Sequence, residues 1–231
     1  MDKSKVRAYF QPPSSFGPGC LFAVGIVISL GILSSEYWFI GLLGLAACVF
    51  VFVIYLNQQK RITDREIDEY CLEKIRNIKN EAIKKIGIDE DEVNLIEPIL
   101  IHGPYFREIQ TAFLYKRGKD NIDRSSNYKA SVLYFSDDQI FLYSVAFSII
   151  ADERKVDTIE YFYKDIVSVT TSDETQKVKL PGSSEITVRF NEFKLTTSGG
   201  TSMTNSIISL DNETEKAIHG MRQLIRQKKH S

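Results

Sequence analysis

Four cations stand close together in this chain: Lys116, Arg117, Lys119 and Arg124. They fall in and just after the turn signal Arg117-Gly118-Lys119, so a hairpin would present them as a group. Positive charges gathered on one loop can hold an anion, such as an anionic lipid headgroup. Asp120 and Asp123 interrupt the group, and an exposed polar hairpin accounts for the same residues. Little else could do chemistry. His102, His219 and His230 have no partner at a metal-binding or catalytic spacing. No G-x-S-x-G elbow, Walker lysine or glycine-rich dinucleotide loop occurs. Ser198-Gly199-Gly200-Thr201-Ser202 could cradle an anion with backbone N–H groups, but a hairpin loop explains it better. Cys20, Cys48 and Cys71 form no disulfide framework or metal spacing and read as small hydrophobes. The chain is therefore expected to be no enzyme and to carry no cofactor and no metal.

The elements that would position those cations follow from hydropathy and charge. Net charge is −1 over 231 residues, which gives no basic footprint for nucleic acid. Residues 20–56 hold one charge, Glu36, and comprise two apolar runs, 20–35 and 38–56. At helical rise the second run would extend about 28 Å, which predicts a two-helix transmembrane hairpin. Gly25, Gly31, Gly41 and Gly44 would let the two helices approach closely. Basic flanks (Lys3, Lys5 and Arg7 before, Lys60, Arg61 and Arg65 after) place both termini in the cytoplasm of a plasma or bacterial inner membrane. Residues 1–19, broken by three prolines, read as a cytoplasmic lead-in.

Residues 57–97 read as a helical connector. Ile67, Cys71, Ile75, Ile78, Ala82 and Ile86 recur at helical spacing, and Gly87 suits the helix end. Their narrow stripe is expected to pack on the following domain; the alternative is homo-oligomerisation through 20–86 as a short coiled coil. Asp89 to Glu92 read as a solvated acidic helix start. From residue 98 the pattern becomes alternating, with Phe141, Tyr143, Val145, Phe147 and Ile149 on one face of a half-buried strand. Strands are predicted near 108–116, 128–135, 139–149, 156–163, 166–172, 184–190, 192–197 and 206–210. A final helix over about 212–228 would start at a capping box, Asn212 and Glu215, and carry Arg222, Arg226, Lys228 and Lys229 toward the negative end of its dipole.

The stretches LYFSDDQIFLYSVAFSII (133–150) and TIEYFYKDIVSVTTS (158–172) resemble the pleckstrin-homology-like fold in its bacterial and GRAM-type forms. In that resemblance Tyr161, Phe162 and Tyr163 lead into a strand begun by Asp165, Ile166 and Val167. It covers about 105–229 and implies a bent antiparallel barrel closed by the C-terminal helix. It also implies that a basic loop between the first strands, here Lys116, Arg117, Lys119 and Arg124, grips phosphorylated headgroups. Such domains bind proteins at a sheet edge or beside the final helix. The expectation is thus a membrane-anchored interaction module, its domain at 98–231 binding a protein partner. The alternatives are an anionic-lipid or membrane-state sensor, and a membrane effector of toxin, immunity or phage-defence type acting through hairpin oligomerisation.

Overall fold

The computed structural model describes residues 1–11, 26–31, 38–58, 62–87, 93, 96–180, 185–207 and 212–229. Three helices come first: α1 (Lys3–Phe10), α2 (Trp38–Gln58) and α3 (Asp64–Ile86). The strands are β1 (Ile99–Pro104), β2 (Tyr115–Arg117), β3 (Asp123–Ser125), β4 (Asn127–Phe135), β5 (Gln139–Ser148), β6 (Arg154–Phe162), β7 (Ile166–Lys179), β8 (Glu185–Thr197) and β9 (Ser202–Ile207). A 3-10 turn, Tyr163–Asp165, joins β6 to β7, and α4 (Asn212–Lys229) closes the chain. Residues 1–10 and 63–231 form one compact unit, and residues 11–62 another.

Within the unit of residues 11–62, α2 follows the second apolar run. A Cβ on Gly44 would lie 2.9 Å from Ser29 Oγ, so glycine permits a close approach there. The transmembrane hairpin is nevertheless overturned: among the described residues no helix is long and apolar enough to cross a membrane. The integral placement in a plasma or inner membrane and the cytoplasmic assignment of both termini, which rested on that hairpin, go with it.

The other unit is mainly antiparallel sheet with a C-terminal helix. One sheet has the order β1-β4-β5-β6, another β7-β8-β9, and β2 pairs with β3 in a short hairpin. Between the two larger sheets lie Ile101, Leu133, Phe135, Leu142, Tyr163, Phe193 and Leu195, with Ile218, Met221 and Ile225 of α4 over one end. The sheets are also tied by polar contacts. Asn205 Nδ2 donates to Ile101 O at 2.7 Å, and Lys129 Nζ to Thr204 O at 2.8 Å.

Central strands β4 and β5 are buried on both faces, not half-buried as alternation suggested. The covering element on the second face is α3, whose stripe Ile67, Cys71, Ile75, Ile78 and Ala82 is buried. Tyr134 Oη donates to Lys79 O at 2.9 Å and Tyr143 Oη to Glu81 Oε1 at 3.0 Å, fixing the helix to those strands. Burying each large side chain of the stripe contributes about 1.5–3 kcal/mol before entropy is charged against it. Both ends of α3 are capped: Thr63 and Glu66 form a reciprocal capping box, and Gly87 closes the helix at φ 74°. The stripe is thus used inside the chain, as expected of a helix packing on its own domain.

Three local differences have physical reasons. The lead-in is helical over Lys3–Phe10, because Val6, Tyr9 and Phe10 share one face and that face is buried. Ile99–Pro104 is a strand, so His102 lies opposite Ala130 in a ladder and not in a turn. The strands expected at 184–190 and 192–197 are one strand, β8, in register with β7 through Asn191↔Asp173. The acidic run 89–92 and the Pro181-Gly182 turn lie outside the described residues, as does the side chain of Asn212.

Candidate functional site

The predicted cations meet at the β2–β3 hairpin, but the first elements of the chain meet them there. Asp64 and Asp68 stand one turn apart on α3, on the face turned to the hairpin. Arg124 is 2% exposed, and its guanidinium is held by two carboxylates. It donates to Asp68 through Nε at 2.9 Å and Nη2 at 2.7 Å, and to Asp120 through Nη1 at 2.8 Å and Nη2 at 2.6 Å. This double fork is the geometry at which arginine binds carboxylates best. The Arg124 hydrogen bonds hold the Asp120 carboxyl down at about 2, and both aspartates in turn raise the Arg124 pKa.

The neighbours close the cluster. Asp64 accepts from Tyr9 Oη at 2.7 Å and from the Lys119 backbone N–H at 2.8 Å. Those bonds, that from Tyr9 foremost, lower the Asp64 pKa, whereas burial first and Asp64 second raise that of Tyr9. Lys116 Nζ lies 3.6 Å from the centroid of the Tyr9 ring, a cation–π contact. Arg117 Nε lies 3.8 Å from the buried Asp123 carboxylate, which also accepts from Tyr115 Oη at 2.7 Å. Burial, then Asp123, pushes the Tyr115 hydroxyl up to about 12. Gly118 has no room for a side chain: a Cβ there would collide with Arg124, Asp120 and Asp64. Arg124 and Lys116 thus point at groups of this same chain, and the four cations do not converge on one open hollow.

A second basic region lies where β7 passes α4. Ile166, Val167, Ser168 and Val169 form one wall of a hollow of about 300 Å³, and Arg222, Ile225, Arg226 and Lys229 form the other. A neighbouring hollow of about 330 Å³ continues along the helix past Thr171, Glu215, Lys216, Ile218, His219 and again Arg222. Two contacts set the direction. Lys229 Nζ donates to Ile166 O at 2.7 Å, and Arg222 Nη2 approaches Thr171 Oγ1 at 3.3 Å. Strand and helix therefore run antiparallel along the groove. Helical spacing explains why Arg222, Arg226 and Lys229 share one face while Ile218, Met221 and Ile225 enter the core.

Two features leave this groove open to a partner. Among the described residues β7 pairs only with β8, so its outer edge keeps backbone donors and acceptors. The register shifts between Ile166 and Ser168, and the extra residue, Val167, is 61% exposed. Such a bulge re-aims a side chain and bends the edge. Arg222 Nε is buried and has no hydrogen-bond partner. An unsatisfied buried donor is costly and calls for an explanation.

Other chemistry is sparse. His219 borders the second hollow and His102 lies in β1. Ser198 to Ser202 form the β8–β9 turn, with Gly200 at φ 80°. Burial pushes the Cys71 thiol up to about 12, which leaves it a poor nucleophile. Among the described residues no group of three or more His, Cys, Asp or Glu could hold a metal ion. Sequence reasoning gave the final helix its basic end but assigned that charge to the helix dipole. The stronger signal was Arg222, Arg226 and Lys229 on one face beside a strand rich in Ser and Thr. No protein-family model, no curated protein and no solved structure matches this chain.

Proposed function

We propose that the sheet-and-helix unit is a pleckstrin-homology-like, non-enzymatic interaction module that takes an extended, acidic segment of a partner protein along β7 beside α4. The observation that carries this reading is the unpaired edge of β7 facing the buried, unpartnered Arg222 Nε. Added strands draw affinity from main-chain hydrogen bonds and specificity from side-chain pockets. Here the exposed Val167 offers apolar contact, and Arg222, Arg226 and Lys229 offer charge to a carboxylate. The pleckstrin-homology-like assignment rests on a four-stranded and a three-stranded antiparallel sheet enclosing one core, with one helix closing the end.

The test is selection of a random-peptide display library on the full chain. Enriched peptides are expected to carry Asp or Glu and to lose at least tenfold in affinity on the Arg222→Glu variant. Enrichment indifferent to Arg222→Glu and Lys229→Glu, or none at all, would overturn the reading. Vesicles containing anionic lipid form the other arm. Salt-sensitive binding to them, lost on neutralising Lys116, Arg117 and Lys119, would assign the lipid-sensing function instead.

A further inference from the structure

Among the described residues, the other end of the first sheet carries a second unpaired edge. Strand β6 pairs with β5 on one side and ends the order β1-β4-β5-β6. Every residue from Arg154 to Glu160 is exposed. Three of its apolar side chains are open to solvent: Val156 at 42%, Ile159 at 37% and Phe162 at 46%. A long edge strand with exposed apolar side chains is a template for pairing with another chain.

The spacing of those three residues selects the partner. They stand at equal intervals, with Ile159 in the middle. Two copies of one strand, paired antiparallel about an axis normal to the sheet, place each residue opposite its mirror position about the centre. Residues directly opposite then share a face, so the centre must fall on a residue. Centred on Ile159, Val156 meets Phe162 of the second copy, Ile159 meets Ile159, and Phe162 meets Val156. Thr158 then faces Glu160, and Asp157 faces Tyr161, so no like charges are opposed within residues 156–162; Arg154 meets Lys164 only beyond the end of the strand. Centred on Thr158, Val156 would face Glu160 and Asp157 would face Ile159. Centred on Asp157, two carboxylates would oppose each other, which is destabilising. Only the first of these registers matches all three apolar residues with apolar residues.

We propose that β6 is a self-recognition edge, at which two copies of this chain pair as antiparallel strands about a two-fold axis through Ile159. The pairing merges two four-stranded sheets into one continuous eight-stranded sheet and supplies partners to the open edge of each. A contact that uses the same patch on both copies closes on itself and yields a dimer rather than a filament. The inference uses a different edge from the β7 groove and stands independently of what that groove binds.

The experiment is site-specific crosslinking in the full chain, with Cys20 and Cys48 replaced by Ser. Directly opposed residues in an antiparallel pair lie about 4.5–5.5 Å apart between Cα atoms, within disulfide reach. Ile159→Cys is therefore expected to give a disulfide-linked dimer on mild oxidation. Thr158→Cys, whose copies sit diagonally in this register, is expected to stay at background. Sedimentation of the full chain free of these cysteine changes, at about 100 µM, is expected to show a dimer that Ile159→Lys weakens at least tenfold. A monomer, a dimer indifferent to Ile159→Lys, or equal crosslinking at both positions would overturn the proposal. Far-UV circular dichroism confirms that each variant is folded.

Discussion

Two basic regions of this chain have had opposite fates. At the β2–β3 hairpin, Arg124 is fully buried and each N–H that meets Asp68 or Asp120 is matched by a carboxylate oxygen. Along α4, Arg222 has one bond to a threonine hydroxyl, and its Nε is buried without a partner. The difference lies in what the fold brings alongside. The hairpin is met by α1 and by the acidic first turns of α3, so its charge is spent on holding the chain together. The groove is met by the Ser- and Thr-rich edge of β7, which brings no carboxylate to Arg222. Basic residues adjacent in sequence therefore say little about binding until their counter-charges are located.

The comparison can be broken hardest at its buried end. Replacing both Asp68 and Asp120 by Ala strands the Arg124 guanidinium, and breaking a buried ion pair from one side costs about 3–5 kcal/mol. Urea unfolding should report that loss; a change under about 1 kcal/mol would mean the cluster is solvated in practice. Gly118→Val drives a side chain into the same cluster, and overpacking of this kind costs about 1–3 kcal/mol. Its unfolding midpoint should fall, whereas Gly199→Val, in the more open β8–β9 turn, should change little.

At the groove the expectation reverses. Arg222→Met removes an unsatisfied donor, so stability should hold within about 0.5 kcal/mol or rise slightly. Binding of selected acidic peptides should fall at least tenfold, measured by fluorescence anisotropy. The smallest effect is in pH. The Asp120 carboxyl falls from an ordinary 3.8 to about 2, chiefly through its hydrogen bonds to Arg124. A depressed acid contributes stability that is complete above its unfolded value and is lost as pH falls through its folded value. The contribution should therefore fade between about pH 4 and pH 2. Asp120→Asn should flatten the stability profile in that window, and an unchanged slope would show that other carboxylates dominate.

Much of the fold was legible in the sequence, because burial leaves a period. The stripe from Ile67 to Ala82 and the apolar runs of β4 and β5 announced themselves. The cap pair Thr63 and Glu66 went unread, because the connector was read as starting at residue 57, and so did the face of α1 formed by Val6, Tyr9 and Phe10. The three prolines that follow hid that helix by marking the whole segment as extended. Strand β1 went unread since Ile99–Pro104 is short and contains His, Gly and Pro. The candidate site was legible only in part. The Asp64 and Asp68 carboxylates lie some fifty-five residues before the hairpin they neutralise, and no local pattern links them. The membrane hairpin failed at a different point: apolar composition over 20–56 was taken as sufficient for two spans, and among the described residues no helix is long and apolar enough to cross a membrane.

Backbone amide hydrogen exchange of the full chain, with and without a display-selected acidic peptide, tests the groove most directly. Added protection concentrated in residues 166–171 of β7 and along the Arg222 face of α4 is the predicted result. Protection at the 115–125 hairpin with none at β7 would contradict it.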